Sequence, residues 1–233
     1  MKRILILLII MVSILSAQFE YGSDTYRTRN DHAGNLIRVT FYNHGMLGSV
    51  QGDNSQIYAG EWPINSGMVQ MGNASSYVAS RIRVASEIDS MTGDTAFVYV
   101  TPVVFCEGWD PAVFSHDSLG KFQGFEPLPG YYSQSQKEQD PFHAIAMSHQ
   151  AFTWPPSWPD KMDDPNDPGW SNHWNGYFGK DQKNADQESY YVMDDYQFDK
   201  KVSGYRLPRP VMTEPNRGGL GLKQKIRGLQ WSN

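Results

Sequence analysis

The chain has 233 residues, a formal net charge of −5 and charged side chains at only 19% of positions, against 21 glycines and 14 prolines. That acidic balance excludes nucleic acid and anionic membrane as partners recruited by charge. Glycine and proline punctuate turns and aromatics favour strands, so the profile is that of a loop-rich β protein, not a helical bundle.

Lys2 and Arg3 precede an apolar run from Ile4 to Leu15 broken only by Ser13, and the small residues Ser16 and Ala17 follow. This order of charge, apolar core and small residues predicts a secretory signal peptide over residues 1–17, cleaved after Ala17. A helix of that run reaches roughly 18 Å, short of the ~30 Å hydrocarbon core, so it does not anchor the chain. Later segments are too polar to span a membrane, and Gln18 stands where a lipid anchor would need Cys. The signal carries two cations and no acid, so the remaining 216 residues have a charge of −7. A chain of that length forms one domain or two small ones, expected to be secreted or held at the cell surface.

Residues 18–35 are polar and read as a loose lead-in to a single β-rich domain over 36–233. Leu36–Tyr42 alternates Ile37, Val39 and Phe41 against Leu36, Arg38, Thr40 and Tyr42, the period of a strand with one apolar face. Tyr77–Ser86 and Thr95–Phe105 are β-branched and alternating. Thr92-Gly93-Asp94 supplies turn chemistry between them, which predicts a hairpin. Cys106 follows Val103, Val104 and Phe105 and is the only cysteine, so a buried, inert thiol is expected.

From Glu107 the texture changes, and residues 107–189 hold nine of the fourteen prolines. The predicted helix there is Asp140–Met147, with Asp140 as cap and Pro141 in the first turn. Trp154-Pro155-Pro156-Ser157-Trp158-Pro159 cannot continue a helix or a central strand. The segment therefore reads as a long, irregular, packed insertion. Leu220–Trp231 reads as a strand whose apolar face shifts at Gly228, as a β-bulge would do. Gly218-Gly219-Leu220-Gly221 has no strand–turn–helix context and reads as a turn, not a phosphate loop. The fold class expected is mostly β: a sandwich-like or partly open antiparallel sheet with a long Trp/Pro-rich irregular insertion and little helix.

Candidate chemistry is sparse. Asp160, Asp163, Asp164, Asn166 and Asp167 place five oxygen donors in one loop, a candidate for weak Ca²⁺ binding that lacks EF-hand spacing. The alternative is a solvated turn in which the Asp side chains cap their own backbone. No other cofactor is expected, and the six histidines lack a zinc-ligand spacing. Nucleophile motifs are absent. Glu61, Glu126, Asp186, Glu188, Asp194 and Asp195 are available for the paired carboxylates of a glycoside hydrolase. Glu61, Glu188 and Asp194 are the named candidates for that reading. Tryptophan faces on a secreted β scaffold stack on sugar rings, or they fill a core. Trp154, Trp158, Trp170 and Trp174 are the candidate contacts with a glycan or cell-surface component.

Three segments carry a family resemblance: Gly60–Gly67 (GEWPINSG), Trp170–Gly179 (WSNHWNGYFG) and Ala185–Asp195 (ADQESYYVMDD), together with the final Gly228–Asn233 (GLQWSN). With them, residues 36–233 resemble the N-terminal region of large uncharacterised bacterial secreted proteins. Those proteins usually end in a β-sandwich sorting domain of the type 9 secretion route. The resemblance implies export and assigns no catalytic residue. The sorting domain is missing here, so the expectation is a truncated or split product of a longer surface protein. The leading functional expectation is a non-enzymatic structural or ligand-binding surface module, with part of a secreted carbohydrate-active enzyme as the alternative.

Overall fold

The computed structural model describes residues 21–48, 57–106, 124–198 and 201–232. Residues 1–17, where a cleavable signal peptide is expected, lie outside these residues. The described chain is mostly β, pairs its strands antiparallel throughout and has one short α-helix. No helix among the described residues is long and apolar enough to cross a membrane.

The first sheet runs β1 (Arg29–His32), β2 (Val39–Tyr42), β3 (Met46–Leu47) and β4 (Ala74–Ser75), in that order. The polar lead-in is thus not loose: Arg29 pairs with Tyr42 and His32 with Val39. Composition hid this strand because its buried side chains are polar, and Asn30 in it, like Thr28 just before it, finds its partner far along the chain. Asn30 Nδ2 donates to Ile145 O at 2.9 Å and Thr28 Oγ1 to Pro141 O at 2.7 Å. Such bonds offset the cost of taking polar groups out of water. The predicted strand over Leu36–Tyr42 begins at Val39, and both Leu36 and Ile37 are exposed.

The predicted hairpin forms, in two steps. β5 (Tyr77–Ala79) pairs with β8 (Val103–Phe105), and β6 (Ile82–Ile88) with β7 (Thr95–Val100). Asp89 organises the turn, where its carboxylate accepts from Met91 N at 2.7 Å and its carbonyl from Gly93 N at 2.8 Å. A bulge lies in β6, between Arg83 and Ala85.

The remaining elements are β9 (Glu126–Pro127), α1 (Gln134–Gln139), β10 (Asn175–Gly176), β11 (Gly179–Lys180), β12 (Gln187–Asp194), β13 (Lys201–Val202), β14 (Tyr205–Arg206) and β15 (Lys223–Gln230). β12 lies between β15 and β9, and its side chains alternate between two cores. Tyr191 and Met193 face one that includes Phe41, Val104, Cys106, Ile145 and Met147. Tyr190 and Val192 face the other, built from Leu128, Tyr131, Ala146, Trp158 and Trp174. A strand buried on both faces reads as a continuous apolar run. The first sheet covers one of those faces, with Phe41 stacked on Tyr191 at 6.3 Å between ring centres. The Trp/Pro-rich segment covers the other.

Two expectations are corrected. Asp140–Met147 is not a helix: α1 precedes it, capped at its N-terminus by Ser133, whose hydroxyl accepts from Gln136 N at 3.2 Å. Asp140 is the C-cap. Ala144–Met147 is extended alongside β12, where Tyr190 N donates to Ala146 O and Ser148 N to Glu188 O. Its apolar run alternates between the same two cores, with Ile145 and Met147 in one and Ala146 in the other. Nor does β15 bulge, since it pairs with β12 without a shift from Gln187↔Gln230 to Asp194↔Lys223. Gly228 has a different task. A Cβ there would come within 2.5 Å of Ser189 Oγ and 2.6 Å of His32 Nε2, so glycine admits the contact between the two sheets.

Candidate ligand-binding cleft

The four candidate tryptophans do come together, but inward. Trp158 and Trp174 are 0% exposed, with ring centres 5.7 Å apart edge to face. Trp154 lies 5.9 Å from Trp174, and Trp154 and Trp170 pack partly buried against the same core. Every one of the four indole N–H groups has an acceptor: Met147 O for Trp154, His173 O for Trp158, Asp164 Oδ2 for Trp170 and Glu188 Oε2 for Trp174, at 2.6 to 3.0 Å. Buried indoles that satisfy their single donor are core residues. Trp158 and Trp174 therefore offer no face to a sugar, a correction to the sequence expectation.

Within the acidic loop, Asp164 spends both carboxylate oxygens on neighbouring loop groups. Asp164 Oδ1 accepts from Asn166 N at 2.9 Å and Asp167 N at 3.3 Å, while Oδ2 takes the Trp170 indole. These bonds hold its carboxyl below the ordinary range, the indole bond contributing most. Asp167 meets Lys180 Nζ at 3.0 Å. Asp160 turns away to Asn175 Nδ2 at 3.0 Å and Tyr190 OH at 2.8 Å. Among the described residues, no group of three or more His, Cys, Asp or Glu side chains is placed to hold a metal ion.

The named carboxylates are engaged as well. Glu188 is buried and accepts from Trp174 Nε1, Ala185 N and Asn184 N. Glu61 accepts from Arg38 Nε at 2.9 Å and Gly67 N at 2.8 Å. Asp194 caps Gly22 N and Tyr196 N, both at 3.1 Å. Asp195 is wrapped by the glycine-rich turn, whose Leu220 and Leu222 amides donate at 2.6 and 2.9 Å. Gly219, at φ +66°, keeps that turn close. None of these four presents a free carboxylate to a cleft.

His32 and Ser189 are the nearest approach to a catalytic pair. Nε2 and Oγ lie 3.0 Å apart at the edge of a cavity of about 360 Å³. Burial pushes the imidazole down to about 4, which keeps it neutral. Its Nδ1 has no partner among the described residues, so the orienting acid of a triad is missing. The pair joins β1 to β12.

A different surface has the composition of a binding site. A cleft of about 580 Å³ is lined by Tyr177, Phe178, Leu229 and Trp231, with Asp160, Asn184, Tyr190, Lys225 and Arg227 between them. Tyr177 is 68% exposed, Phe178 74% and Trp231 54%. The first two form the two-residue tip of the β10–β11 hairpin, their rings 4.9 Å apart edge to face. Trp231 follows β15, and its indole donates to Asn184 O at 2.8 Å, which fixes its plane. Arg227 lies 4.1 Å over the Tyr190 ring and 6.0 Å from that of Tyr177. Lys225 stands 3.7 Å from Asp160. Three large apolar rings in water beside anchored polar groups form an amphipathic surface of the kind that binds ligands.

Two of the segments that carry the family resemblance supply this cleft: Tyr177 and Phe178 from WSNHWNGYFG, Leu229 and Trp231 from GLQWSN. The signal was present in Tyr-Phe between two glycines, a hairpin tip that no core can cover. Lys225 and Arg227 carried no sequence signal of their own. No protein-family model, curated protein or solved structure matches the chain.

Proposed function

We propose that the chain is an exported, non-enzymatic module that binds carbohydrate in the cleft between the β10–β11 hairpin and the end of β15. The observation that carries this reading is the exposure of Tyr177, Phe178 and Trp231 around one concavity. The axial C–H face of a pyranose is apolar and stacks on such rings. Its hydroxyls meet the Lys225 ammonium and the Arg227 guanidinium, which line the same concavity. Export rests on the charge-and-apolar order of residues 1–17 and on the resemblance to secreted surface proteins.

A glycan array probed with the mature chain tests the reading. Retention of a polysaccharide class that is lost in Tyr177→Ala and Trp231→Ala supports it. Absence of any retained glycan, or retention unchanged in both variants, overturns it.

A further inference from the structure

Beyond the aromatic cleft, the first sheet holds a buried cation, Arg29, whose terminal nitrogens make no hydrogen bond among the described residues. Arg29 opens β1 and is 3% exposed. Among the described residues neither of its terminal guanidinium nitrogens is within hydrogen-bond geometry of a partner, nor is the buried Tyr42 hydroxyl, which lies beside the guanidinium and feels its charge. Burying an unpaired charge is among the costliest arrangements a fold can hold, and buried guanidinium groups normally meet carboxylates or carbonyls. The neighbouring acids are engaged elsewhere. Asp31 accepts from Thr40 Oγ1 at 2.6 Å, Asp140 meets His143 Nδ1 at 2.7 Å, and Glu126 is forked by Arg27 at 2.5 and 2.9 Å.

These unused donors belong to one cavity. It measures about 260 Å³ and is lined by Arg27, Arg29, Tyr42 and His44, with Pro141 and Phe142 as apolar walls. Arg29 and Tyr42 are cross-strand partners in the β1–β2 register. The Phe142 ring covers one face of the Arg29 guanidinium at 4.0 Å, which leaves its edge, where the fork of donors lies, for a ligand. The Tyr42 and His44 rings stand 5.4 Å apart.

We infer that this cavity is a binding site for a small organic carboxylate with an apolar body. The two carboxylate oxygens match the two terminal nitrogens of Arg29 in the bidentate geometry that guanidinium favours. The Tyr42 hydroxyl donates to a remaining lone pair, and Phe142 and Pro141 bury the body of the ligand. Arg29 is then kept for recognition at a cost to the unliganded fold.

Thermal melts and calorimetric titration of the mature chain test this with benzoate, its neutral isostere benzamide, and inorganic phosphate. Benzoate is expected to raise the melting temperature, and benzamide to leave it unchanged. Arg29→Met is expected to melt above wild type without ligand and to bind benzoate about a hundredfold more weakly. Tyr42→Phe keeps the ring and weakens benzoate by about tenfold, which tests the site even if Arg29→Met does not fold. Equal shifts from benzoate and benzamide, no shift from benzoate, or unchanged benzoate affinity in Tyr42→Phe would overturn the proposal. A response to phosphate without one to benzoate would overturn it too.

Discussion

Trp174 donates its indole N–H to Glu188 Oε2 at 3.0 Å, with both side chains wholly buried. A tryptophan that reads as a ligand contact and a glutamate that reads as a catalytic acid are thus two halves of one structural bond. Glu188 also accepts from the Asn184 and Ala185 amides, so a single carboxylate closes the turn before β12 and orients the indole in the second core. Glu188→Ala strands three donors and is expected to cost about 3–5 kcal/mol. Trp174→Ala, which empties a ring-sized volume, costs a similar amount. Urea denaturation measures both, and a Trp174→Phe/Glu188→Ala cycle should return a coupling of about 1–2 kcal/mol.

Gly228 is expected to resist substitution. Its Cβ would meet Ser189 Oγ and His32 Nε2 at 2.5 and 2.6 Å, and both neighbours are buried. Gly228→Ala must push β1 away from β12 and should destabilise by about 1–3 kcal/mol. Gly93→Ala is the comparison: nothing stands within 4 Å of that site, so its cost is the strain of φ +76° alone. Chemical denaturation of the two variants checks the contrast.

Two buried groups give stability opposite slopes with pH. Burial pushes Glu126 up from 4.5 to about 7, with Arg27 opposing the rise. The fold therefore favours the protonated acid, a contribution that is complete below 4.5 and lost as pH rises to about 7. Burial pushes His32 down from 6.5 to about 4. The fold favours neutral imidazole, so this contribution is complete above 6.5 and lost as pH falls through 4. Each is on the order of 3 kcal/mol, and in the shared window they offset one another. Glu126→Gln should leave stability rising from pH 4.5 to 6.5, and His32→Gln should leave it falling. Melts across pH 4 to 7.5 read both slopes (about 1.4 kcal/mol per pH unit at most).

Calcium should not stabilise the acidic loop. Asp164 already serves two backbone amides and an indole, and Asp160 serves Asn175 and Tyr190. Melting temperatures with millimolar Ca²⁺ and with chelator are expected to agree. A rise with Ca²⁺ that disappears in Asp163→Asn would contradict this.

What was legible in the sequence followed from local rules. The β-rich class, the Tyr77–Phe105 hairpin and the buried Cys106 all came from patterns whose partners lie close in the chain, and burial raises the Cys106 thiol as its neighbours imply. The misses had separate causes. Asn30 and His32 of β1 find their side-chain partners in Ile145 and Ser189, more than a hundred residues away, which no local pattern shows. Ala144–Met147 looked helical because a run buried on both faces has no period. α1 was invisible because QSQKEQ buries nothing, although Ser133 ahead of Gln136 is a capping signal. The cleft escaped for the opposite reason. Tryptophan drew attention to the core, while the exposed ring surface comes from a two-residue hairpin tip and a single C-terminal indole.

Calorimetric titration of the array-selected oligosaccharide into wild type, Trp231→Ala and Trp62→Ala measures directly whether the cleft beside β15 binds carbohydrate. Trp62 is similarly exposed but does not line the cleft, so it controls for loss of any surface indole. Affinity is expected to fall by about tenfold or more in Trp231→Ala, the scale of one lost aromatic contact, and to stay unchanged in Trp62→Ala. Unaltered affinity in Trp231→Ala, or an equal loss in both variants, would contradict it.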